Sequence, residues 1–241
     1  MINKKKINVD SGIESKKAGW TFGKNTYKNF DSHVKKSVPG YEEGHDIISS
    51  LSDFFIKDNS HIYDLGCSTG SLILKLSSAQ TKKNTHFFGY DTEISMINYA
   101  KKINSKKKNV KFIKADINNI SFKKADLIIA YYTLQFISPR TRQNLINRIY
   151  KSLNWGGAFI FFEKVRGPDA RFQDIFSHLY NDFKLKNGFS AEQIFNKSLS
   201  LKGILEPFSE KGNLDLMKRA GFLDIVTIQK SICFQGWLAI K

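Results

Sequence analysis

Ile62-Tyr63-Asp64-Leu65-Gly66-Cys67-Ser68-Thr69-Gly70 is the stretch whose reading decides the fold. A short apolar run ends in a glycine-bearing turn, and Ser71 to Ser78 follows with apolar residues at helical spacing. Gly66 and Gly70 let the backbone approach a ligand closely, and the first turn of the helix offers N–H groups without intrahelical partners. In dinucleotide enzymes this geometry holds a pyrophosphate. Here the spacing is not G-x-G-x-x-G, and no lysine follows to complete a Walker A loop.

Outward from that turn, strands and helices alternate. Thr85 to Tyr90 reads as a strand, Ile94 to Ile103 as a helix and Val110 to Lys114 as a strand. Ala125 to Tyr131 is a near-continuous apolar run suited to a strand covered on both faces. Arg140 to Leu153 is an amphipathic helix, and Ala158 to Glu163 another buried strand. Upstream, Asp31 to Lys57 carries Ile47, Ile48, Leu51, Phe54 and Phe55 at helical spacing and is expected as a helix packing on the sheet, entered by a turn at Ser37-Val38-Pro39-Gly40-Tyr41. Asp169 to about Lys202 reads as helical without an intervening strand, so residues 169–205 are expected as an insertion capping the site. Leu214 to Ala220 is a helix closed by Gly221, and the last two strands, Asp224 to Lys230 and Cys233 to Ile240, pair as a hairpin. The prediction is an α/β Rossmann-like fold with a seven-stranded, mostly parallel sheet, a C-terminal antiparallel hairpin and a helical insertion. Residues 1–28 read as a flexible basic arm, and 29–241 as one domain.

The spacing Asp64-Leu65-Gly66-Cys67-Ser68-Thr69-Gly70 resembles motif I of class I methyltransferases, whose loop borders the methionine part of S-adenosylmethionine. Asp91 ends the second strand, where a carboxylate accepts hydrogen bonds from both ribose hydroxyls; capping the helix after Thr92-Glu93 is the structural alternative. Asp116, after the third strand, is placed to accept from an adenine amino group with Ile117 packed on the ring, or else to close a turn. Tyr131 ends the fourth strand on the side where parallel sheets bind ligands, as a cofactor or substrate contact or as an aromatic packed under a helix. His33, His45, His61, His86 and His178 have no metal-ligand spacing, and no G-x-S-x-G elbow is present; a metal centre and a hydrolase are not expected.

The formal charge of the 241-residue chain is +16, compatible with nucleic acid or an acidic substrate and equally with lysines spread over a solvated surface. Lys4-Lys5-Lys6 and Lys106-Lys107-Lys108 sit in a tail and a loop. No apolar run is long enough to span a bilayer, Met1 to Lys6 does not lead into an apolar leader segment, and two cysteines make no disulfide framework. A cytoplasmic protein with no membrane association is expected.

A closer resemblance rests on Phe30-Asp31, Ser37-Val38-Pro39-Gly40-Tyr41, Thr133-Leu134-Gln135-Phe136, Asn154 with Gly156-Gly157-Ala158, Glu163-Lys164, Asp182-Phe183-Lys184 and Asn187-Gly188. From about residue 30 onward, the chain resembles the carboxy-S-adenosylmethionine synthase family. That family makes a carboxylated cofactor from S-adenosylmethionine and prephenate for a partner enzyme that modifies wobble uridine in tRNA. The resemblance implies cofactor contacts at Tyr41, Gly66, Cys67, Ser68, Asp91, Thr92, Asp116 and Ile117, alongside Asp64, Gly70 and Tyr131 of the site read above, and it implies a homodimer. Two positions depart from the family: Tyr131 replaces an asparagine, and Ser198 replaces the arginine that pairs with the new carboxylate. A neutral hydroxyl does not replace a bidentate guanidinium. Lys197, Arg166 and Arg171 are the nearby candidates for that charge.

The preferred expectation is therefore methyl transfer from ordinary S-adenosylmethionine to a small-molecule or RNA-related acceptor. The alternatives are carboxy-S-adenosylmethionine synthesis and a non-catalytic cofactor-binding subunit. Tyr41 and Tyr131 are the first catalytic candidates, with His178 and Glu163 as further proton acceptors. Phe172, Phe176, Tyr180 and Phe183 line the acceptor side or, alternatively, pack as core or dimer interface.

Overall fold

The structure, a computed structural model, describes residues 7–10, 13–23 and 26–241. Lys4-Lys5-Lys6 lies outside the described residues. A short hairpin, β1 (Ile7–Asp10) and β2 (Ile13–Ser15), is followed by α1 (Phe30–Ser37) and α2 (Tyr41–Ser52). The parallel strands are β3 (His61–Leu65), β4 (His86–Asp91), β5 (Val110–Lys114), β6 (Ala125–Tyr131) and β7 (Leu153–Lys164). Between them run α3 (Ser71–Ala79), α4 (Ile94–Ile103) and α5 (Pro139–Ser152). Two helices, α6 (Ala170–Lys186) and α7 (Ala191–Ser200), precede α8 (Glu210–Ala220) and the closing pair β8 (Asp224–Ser231) and β9 (Phe234–Ile240).

The strand order is β5-β4-β3-β6-β7-β9-β8, with β9 antiparallel to both β7 and β8. All seven residues of β6 are buried, as its apolar run predicts. Asp126 is tolerated there because Asn154 Nδ2 donates to it at 2.8 Å and Lys57 Nζ lies 3.6 Å away. One face of the sheet packs α2, α3 and α4 through Ile48, Leu72, Ile73, Leu76 and Ile97. The other packs α5 and α8 through Leu145, Ile146, Ile149, Leu216 and Met217. Both helix faces follow the 3.6-residue period of their apolar residues.

Besides the starts of β7, at Leu153 where Ala158 is expected, and of α8, at Glu210 where Leu214 is expected, three features differ from the sequence expectation. The helix read over Asp31–Lys57 is two helices, because Pro39 cannot extend α1 and Gly40 takes φ +71° before α2. Phe54, read as packing on the sheet, is 82% exposed just beyond the end of α2. The arm read over residues 1–28 is ordered structure at its described positions: Val9, Ile13 and Trp20 are buried in a small core with Leu201 and Ile204. Backbone bonds from Ala18 N to Leu199 O (2.9 Å) and Trp20 N to Ser200 O (3.1 Å) fasten this segment to the end of α7. Sparse apolar residues without periodicity hide such a segment, since each is buried by a distant part of the chain.

Candidate active site

The sheet order reverses between β3 and β6, and loops leaving adjacent strands there diverge to opposite faces, opening a crevice at their carboxyl ends. A cavity of about 660 Å³ occupies that crevice. Tyr41, Asp64, Gly66, Cys67, Ser68, Asp91, Thr92, Asp116, Ile117 and Tyr131 all line it.

The turn after β3 is bonded to the end of β4. Gly66 N and Cys67 N both donate to Tyr90 O, at 2.8 and 2.9 Å, and Ser68 N donates to Asp91 Oδ2 at 2.9 Å. Gly66 has φ +81°, and a Cβ there would lie 2.4 Å from Thr133 Oγ1, so only glycine fits. Thr133 Oγ1 in turn donates to Leu65 O at 2.6 Å, which locks the ends of β3 and β6 together. Asp91 Oδ1 accepts from Glu93 N at 2.9 Å. Asp91 thus closes a local turn ahead of α4, whose N-cap is Glu93, and does not cap the helix; it still faces the cavity, and backbone donors take only part of a carboxylate's roughly four acceptor sites. Burial raises its pKa against the pull of these backbone donors. Asp116 closes a turn through Oδ1, which accepts from Asn118 N at 2.9 Å, while Ile117 is buried beside it. Asp64, fully enclosed, is pushed up to about 7 by burial and by the neighbouring charge of Asp91.

Gly70 is the exception among the expected cofactor contacts. It does not line the cavity; a Cβ on it would strike the Phe112 ring at 2.6 Å, so this glycine serves helix-to-sheet packing. Tyr131 adopts its structural alternative. Its hydroxyl donates to Tyr41 O at 2.5 Å, and its ring packs among Tyr41, His45, Tyr132 and Phe162 beneath α2. Burial raises the pKa of both Tyr41 and Tyr131 above the ordinary phenol range, which opposes a role as proton acceptor. Glu163 does not line the cavity. Its Oε1 accepts from Leu134 N at 2.8 Å, it supports the turn after β6, and burial pushes its pKa up to about 8. His178, Arg166 and Arg171 also lie outside the lining; Arg166 Nε donates to Pro207 O at 3.0 Å.

The far side of the cavity comes from α1, α6, α7 and the N-terminal segment. Of the four aromatics expected on α6, only Tyr180 lines it, because the lining face is Ser177, Tyr180, Asn181 and Lys184. Phe172, Ile175 and Leu179 form a separate exposed stripe on the same helix. Tyr180 Oη donates to Ser37 O at 2.8 Å, fixing α6 against α1. Ser198 faces the cavity with its hydroxyl donating to Phe195 O at 2.7 Å. Sequence reasoning passed over Trp20, His33, Tyr132, Lys164 and Lys184 as individual lining residues; the two lysines were visible only within the resemblance motifs. Among the described residues, no group of three or more His, Cys, Asp or Glu side chains is gathered as for a metal.

Residues 56–220 match a methyltransferase-domain family. The chain is 39% identical to a carboxy-S-adenosyl-L-methionine synthase of Staphylococcus epidermidis, over 92% of this chain and 97% of that one. It is 34% identical to the synthase of the same name from Campylobacter jejuni subsp. jejuni serotype O:23/36, over 95% of this chain and 97% of that one. Among solved structures it is similar to human N-acetylserotonin methyltransferase in complex with S-adenosylmethionine. There the TM-score is 0.60 at 18% identity, covering 89% of this chain and 55% of that one. A methyltransferase from Aquifex aeolicus superposes with a TM-score of 0.57 at 18% identity, covering 87% of this chain and 97% of that one. At such identities the structural matches speak for the fold.

Proposed function

Because the chain belongs to the carboxy-S-adenosyl-L-methionine synthase family, built on a methyltransferase domain, we propose that it replaces one hydrogen of the S-adenosylmethionine sulfonium methyl with a carboxylate, prephenate being the donor: prephenate gives up its ring carboxyl and its ring hydroxide, the methyl gives up a proton to that hydroxide, and phenylpyruvate and water leave. It is an S-adenosylmethionine-dependent transferase, which sets aside the non-catalytic reading. This synthesis replaces methyl transfer to an external acceptor as the preferred reaction, since the near-full-length relatives carry the synthase name. The observation that carries the proposal is one cavity joining two chemically distinct halves. The Gly66–Ser68 turn, Asp91 and Asp116 form an acceptor-rich half suited to the nucleoside and methionine parts of the cofactor; Tyr180, Lys164 and Lys184 form a cationic, aromatic half beyond it.

On this reading Asp91 accepts from the ribose, Asp116 from the adenine amino group, and Ile117 packs on the base. Tyr41, Asp64, Cys67, Ser68 and Thr92 surround the remainder. Tyr131 positions α2 by holding Tyr41 O, so that Tyr41 presents its ring to the cavity. The protein's part in the chemistry is to align the methyl carbon with the incoming carboxyl carbon and to exclude water. Incubation of the purified chain with S-adenosylmethionine and prephenate, followed by mass spectrometry of the extracted cofactor, tests the proposal. The carboxylated cofactor is the expected product. S-adenosylhomocysteine together with a methylated acceptor overturns it in favour of methyl transfer, the reading that Ser198 favours.

The same reading includes a homodimer, with the exposed apolar stripe of α6 as the surface that supports it. It also places the chain in the cytoplasm, a setting compatible with free, buried Cys67 and Cys233. Among the described residues no helix is long and apolar enough to cross a membrane.

A further inference from the structure

We propose that Lys164 and Lys184 form an anion clamp in the second half of the cavity that takes the carboxylate of a small acid bearing a flat, apolar ring. The inference rests on the reading above, in which that half receives the co-substrate.

Lys164 is the last residue of β7, and Lys184 lies in the last turn of α6. Their Nζ atoms stand 4.4 and 4.2 Å from the centre of one ring, that of Tyr180. Among the described residues neither makes an ion pair. Burial lowers the pKa of both, and the charge of Lys164 lowers that of Lys184 further, to about 8. Two partly desolvated ammonium groups repel one another, and contact with a π face offsets only part of that cost. Both lysines line the cavity, so a carboxylate there meets two donors with two oxygens.

The surroundings define the rest of the ligand. Phe234 packs edge-on to Tyr180 at 5.1 Å and to Tyr132 at 5.7 Å, so rings wall the space beside the lysines. Tyr180 is held rigid by its bond to Ser37 O. Such walls favour a ring-bearing body over a purely polar one.

Other cations are less suited. Lys197 also lines the cavity, but its Nζ sits over the Trp20 ring with the Asp10 charge acting on it. Ser198 has no charge, and its hydroxyl is engaged with Phe195 O.

The test is direct binding to the full chain loaded with S-adenosylhomocysteine, followed by NMR line broadening, with phenylacetate and its neutral isostere phenylacetamide as probes. At pH 7 the acid is expected to bind at least about tenfold more tightly than the amide. Lys184→Met and Lys164→Met are each expected to remove about tenfold of the acid's affinity, with S-adenosylhomocysteine affinity unchanged as the check on folding. Lys184→Arg retains most of the binding, and Ser198→Ala alters it by less than about twofold. Equal affinity for acid and amide, or no binding of the acid, overturns the clamp, and this comparison needs no variant to fold. If the acid binds as expected while turnover yields no carboxylated cofactor, the proposed function is overturned and the clamp is not.

Discussion

Asp91 accepts from Ser68 N and Glu93 N with different oxygens, so an amide in its place turns at least one acceptor into a donor facing an N–H group. Asp91→Asn is therefore expected to be no milder than Asp91→Ala. Each lowers S-adenosylhomocysteine affinity by about tenfold or more in calorimetric titration. Gly66→Ala is expected to abolish that binding, since the new methyl group overlaps Thr133 and the residue must keep φ +81°. Gly188→Ala, at a similar φ but with nothing near its Cβ, should cost only backbone strain, about 1 kcal/mol by chemical denaturation. At this scale the lining of the cavity's acceptor-rich half was legible, since a glycine turn and acids at successive strand ends imply their own geometry. Gly70 lies outside the lining, and Tyr131 lines the cavity while also packing under α2, because sequence says which strand end a residue occupies, and not toward which face its side chain turns. The lysine pair was legible only as part of family motifs. Lys164 and Lys184, twenty residues apart on different elements, meet on the Tyr180 ring, and no local pattern announces that meeting.

α6 is a helix with two working faces and no buried residue. One face, Ser177, Tyr180, Asn181 and Lys184, lines the cavity; the other carries Phe172, Ile175 and Leu179 exposed. Replacing Phe172 and Leu179 together by serine is expected to yield a monomer in light-scattering chromatography with S-adenosylhomocysteine affinity retained. An unchanged mass distribution removes α6 as the dimer surface. The element boundaries from β3 to β6 were legible to within a residue or so because glycines and apolar periods coincide there. The β1–β2 hairpin was not, because its short strands carry few apolar residues and depend for burial on distant ones such as Phe136, Leu201 and Ile204.

Across the whole molecule, two enclosed carboxyls make stability depend on pH. Glu163 rises from its ordinary 4.5 to about 8, and Asp64 to about 7, each chiefly through burial. The folded chain holds protons that the unfolded chain has already released in this interval. The contribution of these two groups is therefore fully present below the ordinary carboxyl range and is lost as pH climbs from about 4.5 to about 8, whereas buried His45, depressed from 6.5 to about 4, acts in the opposite sense over the lower part of that interval. Thermal unfolding between pH 6.5 and 8, above the range in which His45 takes up its proton, should show a declining midpoint, by about 2–4 °C per kcal/mol lost, with a shallower decline in Glu163→Gln. A midpoint that rises through the same interval contradicts the burial argument.

The placement of β9 between β7 and β8 has a consequence for the order in which the chain is made. The strand synthesised after β8 is an interior one, so β8 has no sheet to join until β9 has emerged. Until then β7, with Phe159, Phe161 and Phe162, presents an open backbone edge to the cell. The nascent protein carries that adhesive edge through the synthesis of the seventy or so residues between β7 and β9. A message cut a few codons short of Phe234 yields a chain whose sheet never closes.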